Sequence, residues 1–252
     1  MRTVRRAAHI PDRWVAVACG LLLLAACMLG ASASIWVPHL TPLFRAGLTA
    51  DPDAVLPAPA RYSFRRTHTT KMAGIETPLR IRLETKVSAN LPDVLAFYRN
   101  ELGQRGWQER GDGALIEKDR IHLAFISPLG PAVLDLRSQD GGTSVDLVQK
   151  NQDAATRAGV VPRAGQAALM FSNLGDAETV MTLDDQTIAL PARIGDERPQ
   201  APFFNLAPGD HRYALKTPSG ADRAGRIRLG IGETWEITVG PDGRWWTPLQ
   251  LY

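Results

Sequence analysis

From Trp14 to Val37 the chain runs WVAVACGLLLLAACMLGASASIWV, 24 residues without one Asp, Glu, Lys, Arg or His. As a helix at ~1.5 Å per residue this stretch would reach roughly 36 Å, enough for a ~30 Å hydrocarbon layer with some tilt. Trp14 and Trp36 stand near its two ends, where interfacial indole rings are favoured, and Pro38 disfavours further helix. Arg2, Arg5, Arg6 and Arg13 precede it, whereas Arg45 alone follows closely. By the positive-inside rule that asymmetry predicts a cytoplasmic tail over 1–13, a transmembrane helix over 14–37 and a body beyond the bacterial inner membrane. Two other readings use the same letters. Leu24-Ala25-Ala26-Cys27 resembles the lipobox of bacterial lipoproteins, with Cys27 as the lipidated residue, and Ala31-Ser32-Ala33 offers a cleavage site for secretion.

The charge of the whole chain agrees with this division. Its formal net charge of +3 is carried entirely by residues 1–13, so the remainder is balanced. A balanced body lacks the basic footprint that draws nucleic acid, and none is expected as a partner. Only Cys19 and Cys27 occur, both inside the apolar stretch, so the body has neither disulfide nor thiol nucleophile. Arg outnumbers Lys 24 to 5, a bias that points to a GC-rich bacterial genome.

Five prolines in residues 38–60 suggest a stiff stalk. Residues 61–149 read as an α+β domain. In 79–87 (LRIRLETKV) Leu79, Ile81, Leu83 and Val87 alternate with Arg80, Arg82, Glu84 and Lys86, the pattern of a half-buried strand. In LPDVLAFYRNELGQRGW, Leu91, Val94, Leu95, Tyr98 and Leu102 share one helical face and Phe97 broadens it. Pro92 suits a first helical position, Asp93 the positive dipole end, and Gly106 a left-handed C-cap against which Trp107 folds back. Four β-like runs follow (ALIEKD, IHLAFIS, AVLDLRS, TSVDLVQ), so one helix over an antiparallel sheet is the economical packing. Residues 150–165 read as a polar linker. Residues 166–252 show no helical stripe, only short β-like runs between turns such as Asp184-Asp185 and Pro208-Gly209-Asp210, which predicts a β-sandwich.

Leu206-Ala207-Pro208-Gly209-Asp210-His211-Arg212-Tyr213, Gly232-Glu233-Thr234-Trp235 and the closing Pro248-Leu249-Gln250-Leu251-Tyr252 resemble PEGA-like surface modules. Those are small sandwiches whose hairpins carry an L-x-P-G-x-h-x-h turn. Val94–Leu102 with Gly106-Trp107 is similar to a helix of bacterial envelope proteins. The resemblance implies an envelope protein with an extracytoplasmic sandwich, and it brings no catalytic residues.

No metalloprotease, nucleophile-elbow, phosphate-loop, dinucleotide or EF-hand motif is present, so no catalytic residue, cofactor or metal ligand is assigned. His68, His122 and His211 lack a second ligand at zinc-site spacing. Glu84, Asp135 and Asp146 are expected on the sheet face away from the helix, with Arg80, Arg82, His122 and Arg137. On that face, cross-strand ion pairs compete with an acid–base pair of a hydrolase or carbohydrate-active enzyme. A pocket for a small lipid or sugar between helix and sheet is a third possibility. Trp235, Trp245 and Trp246 are the candidate contacts for a partner or glycan. Adjacent Trp245 and Trp246 must face opposite ways in a strand, one into the core and one outward. The reading preferred over an enzyme is a non-catalytic, membrane-anchored adaptor that holds another envelope protein or a polysaccharide.

Overall fold

A computed structural model describes residues 47–72, 75–195, 201–216 and 223–252. The expected transmembrane segment 14–37, with Trp14, Trp36 and the alternative lipidation site Cys27, lies outside the described residues. Within them no helix is long and apolar enough to cross a membrane.

Six antiparallel strands form the first sheet: β1 (Phe64–Met72), β2 (Ile75–Val87), β3 (Gln108–Ile116), β4 (Arg120–Ser127), β5 (Gly130–Gln139) and β6 (Gly142–Lys150), in the order β1-β2-β6-β5-β4-β3. Helix α1 (Leu91–Gln104) links β2 to the far edge strand β3. Its start is set by Asn90, whose Oδ1 accepts from the Asp93 amide at 2.9 Å, with Pro92 in the first turn. Its end is closed by Gly106 at φ +76° and by the Trp107 amide donating to the Leu102 carbonyl at 3.0 Å. The helix buries Leu91, Val94, Phe97, Tyr98 and Leu102 on the inner sheet face, against residues that include Leu83, Leu123, Leu134, Leu136, Val145 and Leu147.

Tyr98 is fully buried and its hydroxyl has no hydrogen-bond partner; burial pushes that hydroxyl well above its usual pKa. An orphaned buried donor is a standing cost, while the ring keeps its edge-on contact with Phe97 at 5.1 Å. Tyr98→Phe is therefore expected to raise stability by about 1 kcal/mol in urea unfolding. A loss would show that the hydroxyl is satisfied.

After β6 the chain makes α2 (Gln152–Arg157), capped by Asn151 Oδ1 on the Ala154 amide at 3.0 Å. It then enters a β-sandwich. One sheet has the order β10 (Phe203–Leu206), β7 (Ala167–Asn173), β13 (Thr234–Val239), β14 (Leu249–Gln250), with β7 and β13 parallel. The other is β12 (Arg223–Leu229), β11 (Gly209–Lys216), β8 (Thr179–Leu183), β9 (Gln186–Leu190). Leu169, Phe171, Met181, Leu183, Leu215, Ile237 and Val239 fill the space between them.

The expected class, a transmembrane helix and an α+β domain before the sandwich, is corrected here. The described residues are built mainly of strands, fourteen against two helices. One 14-residue helix cannot cover a six-stranded sheet, so period-two alternation dominates both halves. Two stretches that read as connectors also belong to the body. Leu56 and Ala58, from the proline-rich stalk, are buried beside α1, and the segment beginning at Leu48 is part of one compact unit that runs to Tyr252. Within 150–165, Ala154, Ala155 and Val160 are buried with Met72, Leu79, Met170, Leu251 and Tyr252 in a third cluster joining sheet to sandwich. That cluster explains why all seven residues of β7 are buried. Leu169 and Phe171 face the sandwich core, and Met170 faces the joint.

Polar contacts cross the same joint. Thr234 Oγ1 donates to the Val160 carbonyl at 2.6 Å, Lys150 Nζ to the Gly232 carbonyl at 2.9 Å, and the Tyr252 hydroxyl to Gln152 Oε1. Lys150 lies 4.7 Å from the Tyr252 ring centroid. Burial drops its pKa to about 8, with Glu233 opposing that change and Arg80 reinforcing it. The folded state thus holds the proton less tightly than the unfolded chain. Stability should rise as pH climbs from about 8 to about 10, by up to about 3 kcal/mol. Lys150→Met should flatten that slope in melts recorded across this window, and an unchanged slope would assign it elsewhere.

Candidate functional site

The sheet face turned away from α1 carries the charged residues that alternation places outward. Register aligns them into rows. One row runs Arg66, Glu84, Asp146, Asp135, His122 and Leu115 across all six strands. Three carboxylates stand side by side in it, an arrangement that costs stability unless cations intervene. Arg82, from the neighbouring row, intervenes. It grips Asp146 through Nε–Oδ1 at 2.9 Å and Nη2–Oδ2 at 2.7 Å, and reaches Glu84 Oε1 at 2.9 Å. The Asp146 bond, and charge from Glu84 and Asp135, raise the Arg82 pKa against partial burial. His122 Nδ1 meets Asp135 Oδ1 at 2.9 Å, and His68 Nε2 approaches Glu84 at 3.5 Å. Each carboxylate therefore already has a cationic or imidazole partner.

The next row is apolar in its middle: Arg82, Val148, Val133 and Ala124 are consecutive register partners. These three are half-buried, while Ile126 and Leu115 on the same face are exposed. A charge ladder bordered by an aliphatic strip thus lies on an open sheet surface. Among the described residues only one end is covered, where Arg80 and Lys150 meet the sandwich. Arg80 is buried there with its Nε unpartnered, and burial, with Arg82 close by, lowers its pKa. Among the described residues no group of three His, Cys, Asp or Glu side chains is arranged to hold a metal ion. A small cavity near this end, bounded by Pro78, Ile81, Leu129 and Gln149, has about 40 Å³ of water-accessible space, enough for about one water molecule.

The three tryptophans do not form one platform. Trp235 is half-buried at the sandwich core and donates its indole N–H to Glu233 Oε2 at 2.9 Å. Trp245 pairs with Val239 and sets its ring edge-on to Tyr213 at 4.9 Å. Trp246 turns the other way and is 53% exposed, close over Gly240. Alternation foretold opposite directions for the last two; nothing in the sequence distinguished which would face outward.

His211 is a device that sequence reading left unassigned. Its Nδ1 meets Asp184 Oδ2 at 2.8 Å and its Nε2 meets the Ala207 carbonyl at 2.8 Å. Burial opposes charge on the ring, but two acceptors outweigh it and raise its pKa. Asp184, at φ +49° in the β8–β9 turn, is held below the usual carboxylate range by His211 and the Arg212 amide. These contacts tie the Leu206–Tyr213 turn to the neighbouring hairpin, a structural use of Asp184.

No protein-family model matches the chain, and no curated protein does. Among solved structures, the N-terminal domain of AlgF from P. aeruginosa aligns with 35% of this chain and 95% of its own at 16% identity. Its TM-score of 0.27 is too low to carry an argument about either fold or function.

Proposed function

We propose that this chain is an exported, non-catalytic binding module of the bacterial envelope, with its N-terminus cytoplasmic and its body periplasmic. The open face of the six-stranded sheet receives the partner. The observation that carries this reading is the pairing of Glu84, Asp135 and Asp146 with Arg82 and His122 beside the uncovered Val148–Val133–Ala124 strip. Committed charges next to apolar surface suit recognition of another protein better than acid–base chemistry, which needs a titrating group aimed at substrate in a cleft. Export is supported by the uncharged run 14–37 with four arginines before it. The PEGA-like letters around Pro208-Gly209 agree with an envelope module. A polysaccharide partner is the second reading, favoured by the exposed ring of Trp246.

Fusing alkaline phosphatase or green fluorescent protein to Tyr252 tests delivery. The phosphatase fusion should be active and the fluorescent one dark, with the body digested by protease added to spheroplasts. A fluorescent, protease-resistant fusion would refute export.

A further inference from the structure

We propose that the body carries a collar that docks on an anionic lipid surface, formed where the compact unit begins. Residues 48–60 double back beside the start of β1: the Asp51 amide donates to the Ala58 carbonyl and the Ala60 amide to the Thr49 carbonyl, both at 2.8 Å. Leu48 therefore lies at the same end of the sheet as Tyr62 and Phe64. Two large aromatic side chains are offered to solvent around that point, Phe64 at 45% and Tyr62 at 44% exposure, and Val55, in the loop that closes the arm, is 68% exposed.

Cations interleave with them. The Arg65 guanidinium lies 4.4 Å from the Tyr62 ring centroid, and that of Arg66 lies 5.6 Å from Phe64. Lys86 is the register partner of Phe64, and Arg61 precedes Tyr62. Asp51 and Asp53 are the carboxylates of the doubled-back arm, and Asp51 is bound to Arg65. Glu84, the register partner of Arg66, is held by Arg82. Arg61, Arg65, Arg66 and Lys86 therefore outnumber the carboxylates beside them and the collar is left net positive, while the chain beyond residue 13 as a whole is balanced. Exposed aromatic rings with arginine stems are chemistry that sits at headgroup level, ring toward the acyl boundary and cation toward phosphate.

The occupant follows from where the chain comes from. Only residues 38–47 separate the end of the uncharged run from Leu48, a reach of at most roughly 35 Å when extended. This inference rests on the reading that the N-terminal run delivers the body to a membrane. A bilayer would then lie within reach of this end, and a negatively charged leaflet complements Arg61, Arg66 and Lys86. Docking would fix the orientation of the open sheet face relative to the bilayer.

The full chain is reconstituted with vesicles of phosphatidylcholine alone or of phosphatidylcholine with phosphatidylglycerol, and backbone hydrogen exchange is followed by mass spectrometry. Peptides covering 53–66 should exchange roughly tenfold more slowly on the anionic vesicles, an effect removed by high salt. The β8–β9 turn should not change. Tyr62→Ser with Phe64→Ser, and separately Arg61→Gln with Arg66→Gln, which adds no acid opposite Glu84 and leaves its Arg82 partner in place, should abolish the protection while leaving the melting temperature unaltered. Vesicle association without protection of 53–66, or protection indifferent to lipid charge and to these variants, overturns the collar and leaves membrane delivery standing. Failure of the full chain to associate with either vesicle overturns the delivery reading itself.

Discussion

Gly142→Ala is expected to destabilise the protein by about 3 kcal/mol or more, while Gly141→Ala, one residue earlier in the same hairpin, costs about 1–2 kcal/mol. The difference is steric. A Cβ on Gly142 would lie 2.0 Å from the Val87 carbonyl oxygen and 3.0 Å from its carbon, and neither is the end of a flexible side chain. Relief requires moving β6 away from the last residue of β2, its register neighbour across Val87 and Thr143. It would also stretch the 2.8 Å bond from Thr143 Oγ1 to the Ala89 carbonyl, which ties β6 to the approach of α1. Gly141 has nothing within 4 Å of its would-be Cβ and pays only for φ +77°. Urea unfolding of the two variants gives the comparison directly. Equal losses would show that the close approach of strand and loop is not maintained in solution.

Removing Leu249–Tyr252 should cost about 5 kcal/mol or more, out of proportion to four terminal residues. Leu251 is fully buried and Tyr252 nearly so, both in the cluster that joins sheet to sandwich. The backbone of this segment also closes the edge of β13: the Leu251 amide donates to Thr234 at 2.8 Å, and the Thr234 amide to Tyr252 at 3.0 Å. Without it, Lys150 loses the Tyr252 ring and Gln152 loses its hydroxyl partner. The loss should therefore reach α2, seen as faster hydrogen exchange at Ala154 and Ala155. A truncated chain that melts like the full one would mean that the joint contributes little.

How much of this was legible depends on which physical signal each segment carries. Strand β2 and helix α1 were readable because their apolar residues recur at clean periods of two and of three to four, and, save for Arg80 at the joint, each buries one face. The same alternation foretold that Glu84, Asp135, Asp146 and His122 share a face. Alternation says nothing of strand order, however. That Asp146 and Asp135 are direct neighbours, with Arg82 between acids of two strands, follows from β6 inserting between β2 and β5. Segment 150–165 was misread because its buried contribution comes from Ala154, Ala155 and Val160, small residues among polar letters that leave no hydrophobic stripe. The proline-rich arm hid Leu56 and Ala58 in the same way: proline signals stiffness, not whether the stiff chain is packed. Which of Trp245 and Trp246 turns inward is decided by Val239, the bridge partner of Trp245 in one sheet, and Tyr213, on the facing sheet.

The open sheet face is the centre of the functional account, and site-specific photocrosslinking in intact cells tests it most directly. A photoreactive residue at Val133 or Ala124, in the aliphatic strip, should give a discrete adduct with one envelope component. One at Thr187, on the opposite sandwich sheet, should give none. Ile126→Glu, which puts a charge beside the aliphatic strip at an exposed position and leaves Arg82 in place, should abolish the adduct while the protein remains exported and folded. Adducts of equal yield at all three positions, or none at Val133 and Ala124, would contradict the assignment of that face to a partner.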